Sequence, residues 1–150
     1  HRLPLSTVHA WDVSPEALEV ARRNAIRNGV TVHFQQADAL QESWPSLNID
    51  IVVSNPPYIT EKERTDMERN VLDWEPELAL FVPDNDPLLF YRHIARIGLD
   101  LLSPSGTLYY EINRAYGAET VSLLQQLGYH SVELRKDLSG NDRMVKAVKP

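Results

Sequence analysis

The segment Asn55-Pro56-Pro57-Tyr58 combines two hydrogen-bond acceptors with a stiff backbone. Pro56 pushes Asn55 into an extended conformation, and two successive prolines rigidify the turn. The carboxamide of Asn55 and the carbonyl of Pro56 are therefore held at a fixed separation. Two fixed acceptors orient a planar –NH2 group and leave its nitrogen open to an electrophilic methyl group. With Tyr58 stacked on the same planar group, the segment predicts methyl transfer to an amide or amine nitrogen.

Two aspartates follow predicted strands, where a carboxylate can bind a nucleoside. Asp12 precedes a capped helix, a position from which it accepts hydrogen bonds from ribose hydroxyls. The alternative is that Asp12 helps Ser14 to cap that helix. Asp38 is expected to accept from an adenine amine, with Ala39 beside the ring, or else to be a solvated turn residue. S-adenosylmethionine suits this pair of positions.

Other kinds of chemistry find little support in the sequence. The five histidines have no metal-ligand spacing and the chain has no cysteine, so we assign no metal. No serine lies in the strand-turn-helix pattern of a hydrolase nucleophile, and the glycines form no phosphate-binding loop.

The elements that must position these residues alternate between strands and helices. The residue pattern predicts a parallel, doubly wound α/β sheet that closes with an antiparallel hairpin, in one domain over residues 1–150. Helices are expected to begin at Ser14-Pro15 and at Asp86-Pro87, each a cap followed by a first-turn proline. The predicted strands comprise residues 7–11, 30–34, 49–54, 106–112, 130–136 and 143–148. The charged segment 60–84 is expected to be an insertion that opens with a short helix at Thr60-Glu61-Lys62-Glu63.

Composition narrows the class of partner. Hydrophobic residues make up 43% of the chain and the net charge is −6, with no basic stripe of the kind that binds nucleic acid. Nucleic acid is therefore disfavoured as a direct substrate. No apolar run is long enough to span a membrane, and the first residues lack the apolar core of a signal peptide, so a cytoplasmic location is expected.

Several segments together resemble one family. They are Asp12-Val13-Ser14 with Ala17-Leu18 and Ala21, the run Ile51 to Ile59, Glu75-Pro76 with Ala79-Leu80, and Lys136-Asp137-Leu138 with Gly140 and Asp142-Arg143. In this combination the chain resembles the catalytic domain of HemK/PrmC-type peptide chain release factor glutamine methyltransferases. The Asn-Pro-Pro-Tyr segment alone is shared with adenine methyltransferases of DNA and RNA.

The resemblance implies a Rossmann-like fold, S-adenosylmethionine as methyl donor, and the glutamine of the Gly-Gly-Gln loop in class I release factors as acceptor. It implies that Asp12 with Val13, the Asp38-Ala39 position and Asn55 contact the cofactor, while Asn55 to Tyr58 hold the glutamine. Relative to the family pattern, the printed sequence lacks a small helical domain, the first strand and the glycine loop, so the domain is expected to be truncated at its N-terminus.

Two other functions stay open. One is methylation of an adenine amine in DNA or RNA, which uses the same chemistry. The other is a catalytically inactive binding module, suggested by the absence of the glycine loop. The oligomeric state is not predicted.

Overall fold

A computed structural model describes residues 5–41, 44, 47–67, 69–74 and 76–150 of the chain. Strands and helices alternate along it, as the sequence pattern predicts. They divide into a first unit, residues 1–43, and a second unit, residues 44–150.

The first unit contains two parallel strands and the helix that connects them. Strand β1, His9–Asp12, pairs with β2, His33–Gln36, and helix α1 spans Pro15–Arg27. Ser14 caps α1 as predicted, because its hydroxyl accepts the N–H of Ala17 at 3.0 Å. Strand β2 begins at His33 and not at Val30, because the N–H of Val30 bonds back to the carbonyl of Ala25.

The second unit contains a four-stranded sheet in the order β3-β6-β8-β7. Strand β3, Ile49–Ser54, runs parallel to β6, Leu102–Glu111. Strands β7, His130–Lys136, and β8, Asp142–Val148, form the predicted antiparallel hairpin, and β8 also pairs antiparallel with β6. The sheet is therefore mixed, with its parallel pair at β3 and β6.

Between β3 and the next long helix lies the insertion that the sequence predicts. It contains a 3₁₀ helix at Glu61–Asp66, a short helix α2 at Arg69–Trp74 and a 3₁₀ helix at Glu77–Ala79. Two short parallel strands, β4 at Ile59–Thr60 and β5 at Phe81–Val82, join its two ends.

Helices α3, Leu89–Leu101, and α4, Gly117–Gln126, supply the helical side of the core. Both contribute residues to one buried cluster with the central strands: Tyr91, Ala95, Leu102, Leu108, Tyr110, Ile112, Leu124, Tyr129, Val145 and Ala147. In the part of the chain that the structure describes, no helix is both long and apolar enough to cross a membrane.

The predicted start of α3 is wrong. The helix begins at Leu89, and its cap position, Leu88, has no capping side chain. Asp86 instead receives both terminal guanidinium nitrogens of Arg92 at 2.9 Å, while its carbonyl accepts the N–H of Leu89. A bidentate ion pair to the first turn thus replaces the local cap.

Strand β6 is longer than predicted, beginning at Leu102 and not at Gly106. Ile49 pairs with Leu102, and the carbonyl of Gly106 accepts the N–H of Lys149, so pairing on both sides extends the strand back through Ser103-Pro104. Helix α3 correspondingly ends at Leu101.

The two faces of strand β3 differ in exposure. Successive side chains of a strand point to opposite faces. Val52 packs on the cluster formed with α3 and α4, whereas Ile51 and Val53 on the other face are 58% and 74% exposed.

Truncation of Leu108 tests the role of the core. This side chain is completely buried at the centre of β6. Leu108→Ala is expected to lower the free energy of unfolding by about 2–5 kcal/mol, because it removes buried methyl groups and leaves a cavity. Urea denaturation checks this, with Leu138→Ala, at a fully exposed site, as the matched control. Equal losses in both variants would contradict the assigned core.

Candidate active site

The chain leaves β3 at Ser54, so that Asn55 to Tyr58 lie at the carboxyl end of a parallel strand. In such sheets ligands bind at this edge. The side chain of Asn55 is exposed, whereas Pro56 is buried. Neither the Asn55 side chain nor the Pro56 carbonyl takes part in a hydrogen bond among the described residues. Both predicted acceptors are therefore free of hydrogen bonds within the part of the chain that the structure describes.

A small depression opens beside this segment. Its volume is about 90 Å³, and it is lined by Asn55, Pro56, Tyr58, Ile59, Ala79 and Leu80. Both predicted acceptor residues, Asn55 and Pro56, border this depression.

Tyr58 is fixed at its hydroxyl. The hydroxyl donates a hydrogen bond to Oε1 of Glu111, at the end of β6, over 3.2 Å. Burial raises the pKa of Tyr58, the neighbouring Glu111 carboxylate raises it further, and Arg143 opposes both. The hydroxyl consequently keeps its proton at neutral pH and remains a donor. Stacking of Tyr58 on a substrate stays a prediction.

The backbone of Tyr58 is fixed as well. Its carbonyl accepts a hydrogen bond from Nδ2 of Asn113 at 3.1 Å. The same nitrogen lies 3.0 and 3.2 Å from the two carboxylate oxygens of Glu63. Asn113 is only 5% exposed. It thus connects the end of the Asn-Pro-Pro-Tyr segment to the insertion.

Glu63 has a second set of donors. Its Oε2 accepts both the N–H and the hydroxyl of Thr60, each at 2.8 Å. These bonds correspond to the helix start predicted at Thr60, although the helix is of the 3₁₀ type. Burial by itself would raise the pKa of Glu63, but the hydrogen bonds from Thr60 and Asn113 outweigh it, so the pKa is lowered.

The predicted cofactor residues other than Asn55 lie in the first unit, at the carboxyl edge of β1 and β2. The carbonyl of Asp12 accepts the N–H of Ala37, which joins the two strand ends there. Oδ1 of Asp12 accepts the N–H of Ser14 at 2.8 Å, the helix-entry role that the sequence left open. Oδ2 of this exposed carboxylate has no partner among the described residues.

Val13 and Asp38 are anchored at the same edge. The carbonyl of Val13 accepts Nε2 of Gln36 at 3.0 Å. Oδ1 of Asp38 accepts the N–H of Leu40 at 2.9 Å, so Asp38 forms a local turn with Ala39 inside it. Within the first unit the structure thus brings Asp12, Val13, Asp38 and Ala39 to one edge, while Asn55 to Tyr58 belong to the second unit.

Sequence reasoning missed the supporting residues Glu63, Glu111 and Asn113. The only local signal was the Thr60-x-x-Glu63 pattern, which predicts a helix start and says nothing of Asn113. Glu75, used in the family resemblance, lies outside the described residues. No group of three or more metal-ligating side chains lies together in the described ranges.

The chain is similar in sequence to known methyltransferases. A family model described as "Methyltransferase small domain" matches residues 1–73. A release factor glutamine methyltransferase of Bacteroides thetaiotaomicron is 51% identical over 97% of this chain and 52% of its own length. That of Flavobacterium psychrophilum is 47% identical over 96% of this chain and 50% of its own length. Over nearly its whole length the chain is similar to release factor glutamine methyltransferases.

The chain spans about half the length of the curated relatives that it matches. Solved structures support the fold. A methyltransferase from Pyrococcus furiosus is similar with a TM-score of 0.67 and 19% identity, over 95% of this chain and 62% of the other. The S-adenosylmethionine-dependent methyltransferase SibL gives a TM-score of 0.61 and 19% identity, over 98% and 44%. The predicted Rossmann-like methyltransferase fold is confirmed.

The lowered pKa of Glu63 predicts a pH dependence. A carboxyl whose pKa is lower in the folded state stabilises the fold above its unfolded pKa of about 4.3 and loses this contribution as the pH falls through the folded value. The stability difference between the native chain and Glu63→Gln should therefore be largest near pH 7 and narrow below about pH 4.3. Chemical denaturation at a series of pH values measures it. A difference that stays constant down to pH 3 would contradict the role of the carboxylate.

Proposed function

We propose that this protein is an S-adenosylmethionine-dependent methyltransferase whose acceptor is the side-chain amide of the glutamine in the Gly-Gly-Gln loop of peptide chain release factors. The observation that carries the proposal is the pair of unengaged acceptors, the Asn55 side chain and the Pro56 carbonyl, beside a small depression that both residues line. The names of the relatives support the choice of acceptor protein.

The two acceptors suit an amide –NH2, which has two N–H donors. When each N–H donates to one acceptor, the amide plane is fixed and its nitrogen faces the methyl donor. Positioning of this kind contributes up to about 7–11 kcal/mol in well-oriented systems. The proposal therefore needs no nucleophilic side chain, and Asn55, Pro56 and Tyr58 are the proposed catalytic residues, with Pro57 stiffening the substrate-binding turn.

The edge of the first unit fits the cofactor. S-adenosylmethionine supplies an electrophilic methyl group when it is bound. The exposed carboxylate of Asp12 keeps Oδ2 available, and a carboxylate oxygen is a suitable acceptor for ribose hydroxyls. We assign cofactor binding to Asp12, Val13, Asp38, Ala39 and Asn55.

The remaining assignments follow from this acceptor. A class I release factor is the protein partner, and the cytoplasm, where translation ends, is the location. Residues 1–150 belong to one methyltransferase catalytic domain. Adenine methylation is less favoured, because the relatives are named release factor glutamine methyltransferases and the net charge of the chain is −6.

The test is transfer of labelled methyl from S-adenosylmethionine by the protein in its full natural length. The acceptors are a release factor, the same factor with the loop glutamine changed to alanine, and DNA and RNA oligonucleotides. Label in the first acceptor alone supports the proposal. Label in an oligonucleotide alone favours adenine methylation. Calorimetric cofactor binding without any transfer would favour a binding module, and absence of both would remove the methyltransferase assignment for this protein.

Asn55→Ala is expected to lower kcat by about a hundredfold and to change cofactor affinity much less, because the lost acceptor mainly orients the substrate amide. Steady-state kinetics and calorimetry measure the two effects. Asn24→Ala, on the exposed face of α1, is the matched control and should retain full activity. Equal losses of turnover and cofactor affinity would argue against the orienting role.

A further inference from the structure

The side chain of Asn113 uses every hydrogen-bonding atom that it has. Its Oδ1 accepts the N–H of Ala115 at 3.0 Å, which caps the 3₁₀ helix Arg114–Tyr116. Its Nδ2 has two hydrogens, for which the carbonyl of Tyr58 and the carboxylate of Glu63 are the acceptors. Its backbone N–H donates to the buried hydroxyl of Tyr91 at 3.1 Å. The backbone of Asn113 is therefore anchored to the core, and its side chain holds the Asn-Pro-Pro-Tyr turn and the insertion.

These contacts join three parts of the second unit that are far apart in sequence. Tyr58 ends the Asn-Pro-Pro-Tyr turn, Glu63 lies in the insertion, and Asn113 follows β6. The hydroxyl of Tyr58 is bonded to Glu111, also on β6, so Tyr58 is held through its side chain and through its carbonyl. The carbonyl of Pro56 lies two residues before this doubly held residue.

We propose that Asn113 is a positioning residue for methyl transfer, which sets the direction of the Pro56 carbonyl and the Asn55 side chain by holding the carbonyl of Tyr58. The effect of Asn113 on turnover rests on the proposed function, whereas its effect on the conformation of the Asn-Pro-Pro-Tyr turn does not. Misplacement of reacting groups by about 1 Å costs on the order of a hundredfold in rate. The hydrogen bond from Nδ2 to Tyr58 is the contact that prevents it.

A change to aspartate isolates this contact. Asn113→Asp keeps the size of the side chain and the capping oxygen for Ala115, but replaces the donor nitrogen with an acceptor oxygen. That oxygen then faces the Tyr58 carbonyl and the Glu63 carboxylate, and both contacts become repulsive. Adding Glu63→Gln supplies a donor toward Asp at position 113 and repairs the contact to the insertion. The Tyr58 carbonyl still has no donor in this double variant.

The experiment compares kcat, KM for S-adenosylmethionine and thermal stability of the native protein, in its full natural length, with N113D and with N113D/E63Q. We expect N113D to lower kcat by about ten- to a hundredfold with little change in the cofactor KM. The double variant should regain stability but not kcat. Recovery of kcat along with stability would overturn the proposal, because the contact to Glu63 would then be sufficient. Gln125→Glu, the same amide-to-acid change on an exposed residue of α4, is the control.

Amide hydrogen exchange gives a readout that does not require activity. The N–H of Ile59, next to Tyr58, donates to the carbonyl of Leu80 at 2.9 Å. N113D should increase its exchange rate at least tenfold, and Gln125→Glu should not. If the native protein fails to methylate a release factor while N113D speeds amide exchange at Ile59, the proposed function fails. The structural part of the inference, that Asn113 orders the turn, then stands. If N113D changes neither the exchange rate at Ile59 nor kcat, the positioning role of Asn113 is refuted.

Discussion

The parallel pairing of β3 with β6 is the constraint on which the candidate site depends. It sets Ser54 opposite Tyr110, so that the next residues along each strand, Asn55 and Glu111, emerge side by side at the same edge. The candidate site needs both strand ends. The end of β3 leads to the acceptors of Asn55 and Pro56, and the end of β6 provides Glu111 and Asn113, which bond to Tyr58. A shift of register by one residue would turn Glu111 to the opposite face and disconnect it from Tyr58.

Beneath this edge, buried tyrosines link the site to the core. The hydroxyl of Tyr110 donates to the carbonyl of Tyr91, and their rings lie 5.3 Å apart. The hydroxyl of Tyr91 in turn accepts the N–H of Asn113. Burial raises the pKa of both phenols, so they stay neutral and make these bonds without a buried charge. The rigidity of the turn thus derives from hydrogen bonds inside an otherwise apolar cluster.

The sequence was most informative where the determining interactions are local. Ser14 followed by Pro15 is sufficient to start α1, and two prolines after a mostly aliphatic run are sufficient to locate the carboxyl end of β3. The same pattern, a capping residue followed by proline, predicted a helix start at Asp86 that the structure does not show, because the carboxylate of Asp86 pairs with Arg92. The Asn113 contacts were beyond prediction, since they join residues about fifty positions apart that only the β3–β6 pairing brings together. Asp12 shows a third case, in which the local role is observed and the ligand role remains a proposal.

The long connection between β3 and β6 also bears on the kinetics of folding. Parallel strands cannot be joined by a tight turn, and here the crossover includes the whole insertion and α3. Contacts between residues distant in sequence form slowly, because the entropy of closing the loop is lost before pairing compensates it. Helices α3 and α4 and the β7–β8 hairpin depend on nearby contacts and can form early. The Asn-Pro-Pro-Tyr segment at the carboxyl end of β3 is then among the last parts of the second unit to acquire its native geometry.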